Sequence, residues 1–235
     1  MAVIRYAPRS LFSYNSGHQN KENMMKKWLA LCLLAVMPTL AAAAPAPQPA
    51  ATLPLVEGRD YSLIANPTPA PAGTVEVREF FWYGCPHCFR LDPFVSAWLQ
   101  GKPAGVSFIR TPVALSKDWE ANTRGFYVAE TLNKVDATHK ALFDAIHLRH
   151  ERLFDQQSLA AFYARYGISQ SNFNGLYQSF AVNGKVAQAR NLAIRYQITG
   201  VPAIIVNGKY LVQGETQRTI DVVKALVARE QQAKR

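Results

Sequence analysis

Two cysteines separated by a proline and a histidine, Cys85-Pro86-His87-Cys88, follow the aromatic run Phe80-Phe81-Trp82-Tyr83 and a single Gly84. A sulfur pair at this spacing holds a metal, staples the chain or exchanges electrons. A structural zinc takes four ligands, commonly two such pairs or one pair with two histidines. His147 and His150 complete a set on paper, but they lie far along the chain, and histidines three apart are ordinary on a helix surface. His139, His147 and His150 are therefore read as solvated helix-face residues, with no metal. A staple across two residues closes nearly the smallest loop available and stabilises little in the chain-entropy account. Electron exchange is the reading physics favours. The reactive species is a thiolate, and its abundance follows the thiol pKa. If Gly84 ends a strand, Cys85 opens a helix, where unsatisfied N–H groups and the positive dipole end favour an anion. Cys88 then lies one turn deeper, within reach of the first sulfur. His87 adds a positive charge or donor, and Pro86 restricts the loop. The helix start, the second sulfur and His87 each stabilise the reduced pair and make its disulfide more oxidising.

The flanking sequence supplies the elements that position the pair. "TVEVREFFWY" alternates and then becomes continuously apolar, the pattern of a buried strand. "CPHCFRLDPFVSAWLQ" places Phe89, Phe94 and Trp98 at helical spacing, with Pro86 suited to the first turn and Pro93 inside as a source of a kink. "VSFIRTPVAL" reads as a second strand. Between Lys117 and Tyr196 only helical runs appear, with Gly167 suited to end one and Ser169 or Ser171 to begin the next. "VPAIIVNGKYLV" then gives two short strands about an Asn-Gly turn, and "TQRTIDVVKALVAREQQ" an amphipathic helix. The expected fold is α/β, with order β-α-β, a helical block, then β-β-α: one sheet whose two halves, 72–116 and 197–235, are separated by an inserted helical domain, 117–196.

The chain has 235 residues, 49% hydrophobic and 18% charged, ordinary for a globular protein with a proper core. Residues 1–43 are set apart. "MMKKWLALCLLAVMPTLAAAA" orders basic, apolar and small residues as a secretory leader does, with cleavage expected after Ala41 or Ala43. Its apolar run is too short to span a bilayer, which argues against a retained anchor. The polar residues before Met24 are unusual ahead of such a leader, so the start is placed at Met24 or Met25. Loss of 1–43 lowers the net charge from +10 to about +6, since it holds five Lys/Arg and one Glu. A moderate charge spread along the sequence is solvated surface rather than a nucleic-acid footprint. Cys32 leaves with the leader, and Cys85 and Cys88 are then the only cysteines of an exported chain. Residues 44–71, rich in Ala and Pro, read as a flexible arm in which "PLVEGRDYSLI" is a short ordered piece.

The motif "EFFWYGCPHC", the helical insertion and "TGVPAIIVNGKY" together resemble the DsbA family of thioredoxin-like disulfide oxidases over roughly Thr74–Arg229. The resemblance implies a thioredoxin-like fold and a periplasmic thiol:disulfide oxidoreductase that donates its Cys85–Cys88 disulfide to reduced, unfolded exported proteins. It implies a monomer that uses no cofactor beyond that disulfide, reoxidised by a quinone-linked membrane oxidase of the DsbB kind. Cys85 would be the exposed nucleophile and Cys88 its buried partner, with Pro86 and His87 setting the potential. Pro202 would be a cis proline against the sulfurs, and Val201 would offer its backbone to an extended substrate. On pattern alone Val201-Pro202 is a strand-start proline. Glu79 matches a buried acid that relays a proton; on pattern alone it is a strand residue facing solvent. The basic partner such an acid often has is not evident in the sequence, and Phe81, Trp82 and Tyr83 read equally as core. Rival functions are an isomerase or reductase on the same fold, whose members usually carry an N-terminal dimerisation domain and Thr before the cis proline, and a chaperone-like peptide-binding module.

Overall fold

The structure is a computed structural model that describes residues 54–68 and 73–233. The residues read as a secretory leader, both candidate starts, Cys32 and parts of the arm lie outside the described residues.

The central strand β2, Val75–Phe81, explains its own composition. Val75, Val77, Glu79 and Phe81 face one side, Phe80 the other, and all are buried. A strand covered on both faces cannot be an edge. Accordingly β2 pairs in parallel with β3, Val106–Pro112, and antiparallel with β4, Ala203–Val206. Strand β5, Tyr210–Gln213, follows β4 through Asn207 and Gly208, both at positive φ. This is the primed turn that Asn-Gly favours. The sheet order is β1-β5-β4-β2-β3.

Strand β1, Ser62–Leu63, lies within "PLVEGRDYSLI", the short ordered piece expected in the arm. It pairs antiparallel with Leu211 and Tyr210 of β5, and Asp60 beside it accepts from Arg218 at 2.8 Å. Its exposed burial pattern hides it from any hydrophobicity count, because it is held by backbone pairing and ion contacts.

Helix α1, Pro86–Gln100, and helix α7, Gln217–Gln232, cover one face of the sheet. Leu91, Val95 and Trp98 from the first and Ile220, Val223 and Val227 from the second join Val75, Val77 and Ile204 in one apolar cluster. After β3, a 3-10 turn at Lys117–Trp119 leads into α2, Glu120–Thr131, α3, Val135–His147, α4, Gln156–Ala164, α5, Gln170–Tyr177, and α6, Phe180–Arg195. Gly167 (φ +81) follows α4, Ser169 caps α5 and Ser179 caps α6, each serine accepting a backbone N–H. The end of β2 reaches this helical layer: Phe81 makes edge contacts with Tyr83, Phe126 and His139. Among the described residues no helix is long and apolar enough to cross a membrane.

Candidate active site

Gly84 has a packing reason beyond ending a strand: a Cβ there would lie 2.3 Å from the Trp82 ring, which itself stacks on Trp119 at 4.3 Å. The chain can therefore turn tightly over Trp82 and deliver Cys85 as the N-cap of α1, with Pro86 in the first turn. The cap interaction uses sulfur. Cys85 Sγ accepts the Cys88 N–H at 3.4 Å and lies 3.3 Å from the Val201 carbonyl oxygen, to which it donates only while protonated. The Val201–Pro202 bond is cis. The loop before β4 thus meets the start of α1 at the sulfur of Cys85.

Both cysteines are free thiols here, and Cys85 is more enclosed than an exposed nucleophile should be: 7% accessible against 1% for Cys88. The turn of α1 and the Val201 backbone cover it. Their environments drive the thiols apart. The Cys88 thiol beside it, the N–H groups of Cys88 and His87 and the His87 charge outweigh burial and hold Cys85 down to about 6, from 9.0. Burial, then the adjoining Cys85 sulfur, pushes Cys88 far above the ordinary thiol range. One sulfur is ionised at neutral pH and the other keeps its proton.

A groove of about 340 Å³ runs beside the sulfurs, lined by His87, Val201, Pro202 and the turn Gln213–Glu215. Its rim carries a charge cluster invisible in the sequence. Glu215 Oε2 lies 2.5 Å from His87 Nδ1 and accepts from Arg90 Nε at 3.0 Å. Behind the sulfurs, Glu79 is 2% accessible, so the solvent-facing alternative for it is excluded. The basic partner not evident in the sequence is Arg110, its direct neighbour across the β2–β3 ladder, with Nε 3.4 Å from Glu79 Oε2. Burial raises Glu79 to about 7, with Arg110 opposing and Asp92 reinforcing the rise. His139 is also not solvated: it is 5% accessible and bonded to Tyr83 and Asp92. His147 is half-buried, with Nε2 2.8 Å from the Tyr83 carbonyl oxygen, and His150 is exposed at φ 55, three residues after α3. No group of metal-ligating side chains forms among the described residues.

A mixed sheet with a dithiol at a helix N-terminus, facing a cis proline, defines the thioredoxin-like thiol:disulfide oxidoreductases. A family model for the DSBA-like thioredoxin domain matches residues 76–226, and the chain belongs to that family. It is 37% identical over 185 residues to the thiol:disulfide interchange protein DsbA of Pseudomonas syringae pv. tomato, covering 77% of this chain and 86% of the relative. To the Burkholderia cepacia protein of the same name it is 39% identical over 188 residues, covering 79% and 86%. The crystal structure of Pseudomonas aeruginosa DsbA superimposes with a TM-score of 0.72 at 35% identity, covering 76% of this chain and 96% of that one. The oxidoreductase DsbA of Xylella fastidiosa gives 0.72 at 34%, covering 77% and 99%.

Proposed function

We propose that this oxidoreductase is a periplasmic disulfide donor acting on reduced, newly exported proteins. The observation that carries this reading is the divergence of the two thiols, with Cys85 capping α1 as a stabilised anion. A substrate thiolate attacks Cys85 Sγ of the Cys85–Cys88 disulfide. The S–S bond breaks, a mixed disulfide forms at Cys85, and its electron pair goes to Cys88, which takes a proton. Glu79, half-protonated near neutrality, supplies that proton and later accepts it back. A second substrate thiolate then attacks the substrate sulfur, and Cys85 leaves as a thiolate. Low proton affinity makes it a good leaving group. The substrate is oxidised by two electrons and the protein reduced by two.

The groove along Val201 and Pro202 takes the substrate backbone in extended form, and the His87 charge steadies the departing Cys85 thiolate, with Pro86 fixing the turn. The disulfide is the only redox group the cycle needs. Return to the disulfide falls to a quinone-linked membrane oxidase, which the Cys85 thiolate attacks, and the protein works as a monomer. The test is stoichiometric transfer. Oxidised protein mixed with one equivalent of a reduced two-cysteine peptide should yield cyclised peptide and dithiol protein; a peptide left reduced would refute the reading.

A further inference from the structure

Four buried polar side chains and the half-buried Arg110 form a chain that runs from the helical layer to the back of the dithiol, and the exchange steps above use only its last member. Tyr83 Oη lies 2.9 Å from His139 Nδ1; His139 Nε2 lies 3.1 Å from Asp92 Oδ1; Arg110 Nη2 reaches the same oxygen at 3.4 Å. Arg110 Nε then faces Glu79 Oε2 at 3.4 Å, where neither atom completes a hydrogen bond. We propose that His139, on α3 of the inserted helical layer, is a positioning residue of the redox centre: by holding Asp92 as an anion it decides how much of the Arg110 charge reaches Glu79. This inference rests on Glu79 as the proton relay.

The argument is one of sharing. A single guanidinium stands between two buried carboxylates and is well bonded to neither. Asp92 can only accept while ionised, so His139 donates Nε2–H and its Nδ1 lone pair takes the Tyr83 hydroxyl proton. That tautomer belongs to a neutral ring, in keeping with burial, which pushes His139 down to about 4. Burial disfavours the Asp92 anion, but the bond from His139 and the Arg110 charge hold it below the usual carboxylate range. Seen from Glu79, Arg110 and Asp92 are then close to a neutral pair, so burial prevails and Glu79 is raised to about 7. The other titratable groups facing the chain are Cys88 on α1, Asp136 and Lys140 on α3 and, through Tyr83, Tyr163 on α4. None of them is altered by the variants below.

Without the His139 donor, Asp92 takes up a proton, the whole Arg110 charge acts on Glu79, and Glu79 ionises at lower pH. His139→Phe keeps a ring among Phe81, Tyr83 and Phe143 while removing the donor; His139→Gln keeps an N–H. The readout is the pH titration of the Glu79 carboxyl carbon by NMR in glutamate-labelled protein, assigned by its loss in Glu79→Gln. The midpoint should fall by about one pH unit or more in His139→Phe and stay near wild type in His139→Gln. An unmoved midpoint in folded His139→Phe, or an equal shift in both variants, overturns the proposal. If His139→Phe does not fold, Tyr83→Phe, which frees the Nδ1 lone pair, must give a smaller shift of the same sign, and no shift overturns it. The exchange rate of Glu79→Gln against pH is a separate readout: a profile identical to wild type removes the relay role, while the carboxyl titration still decides what His139 does.

Discussion

Replacement of Cys85 by Ser is expected to reduce disulfide exchange to the uncatalysed background, whereas Cys88→Ser should stop the cycle at a covalent complex. The two sulfurs are not equivalent. Cys85 is the sulfur stabilised as an anion, and it faces the groove-lining Val201 carbonyl. Cys88 is 1% accessible and holds its proton. A lone Cys85 can still attack a disulfide, but without Cys88 nothing displaces the bound partner. Incubation with a disulfide-bonded peptide followed by mass spectrometry under non-reducing conditions should show one adduct per Cys88→Ser molecule and none on Cys85→Ser. Adduct on Cys85→Ser, or equal trapping by both, would reverse the assignment. A serine hydroxyl at position 88 is buried, so that variant should also lose about 1–3 kcal/mol of stability.

The second large effect is on stability against pH. The Cys85 thiol titrates near 9.0 in an unstructured chain and near 6 in the folded dithiol. Between these values the unfolded chain binds more protons, so the reduced protein gains stability as pH rises. The gain is complete above the unfolded value and is lost as pH falls through about 6. The shift corresponds to roughly 2–4 kcal/mol, discounted for coupling to Cys88 and for nearby solvent. Glu79 works in the opposite direction: raised from 4.5 to about 7, it lowers stability as pH rises through that range. Glu79 is present in both redox forms, however, so subtracting denaturation curves of the oxidised protein leaves the two thiols, and Cys88, held far above 9.0, opposes the gain only as pH passes about 9. The reduced-minus-oxidised difference should climb between pH 6 and 9. A flat difference would mean that Cys85 is not an anion in the fold.

This stabilisation of the reduced form is also what makes the disulfide a donor, because the energy that holds the thiolate is released when a substrate takes the oxidising equivalents.

The parts of this centre that were legible in the sequence are those encoded locally. Cys85 at a helix start follows from an apolar strand, a glycine and a first-turn proline within one short stretch, and the β4–β5 turn follows from Asn207-Gly208. The parts that were not legible depend on register and on which face a helix buries. Arg110 is only a basic residue in a strand until the parallel ladder sets it beside Glu79. Asp92 and His139 look like solvated helix residues until α1 and α3 bring them within 3.1 Å of each other. Glu215 lies at the end of a hairpin, and nothing nearby in sequence points it at His87. An arginine within a strand beside the apolar Phe108 and Ile109 and an acid beside Pro93 were the available signals, and both mark groups that need a buried partner.

The most direct test of the disulfide-donor reading is the equilibrium of Cys85–Cys88 against glutathione, followed by thiol alkylation and mass spectrometry. A thiolate held near 6 in the dithiol form should place the potential well above the approximately −270 mV of thioredoxin. A value at or below that level would contradict the account: the pair would then be a reductant, and the environment of Cys85 would not favour the thiolate as its geometry implies.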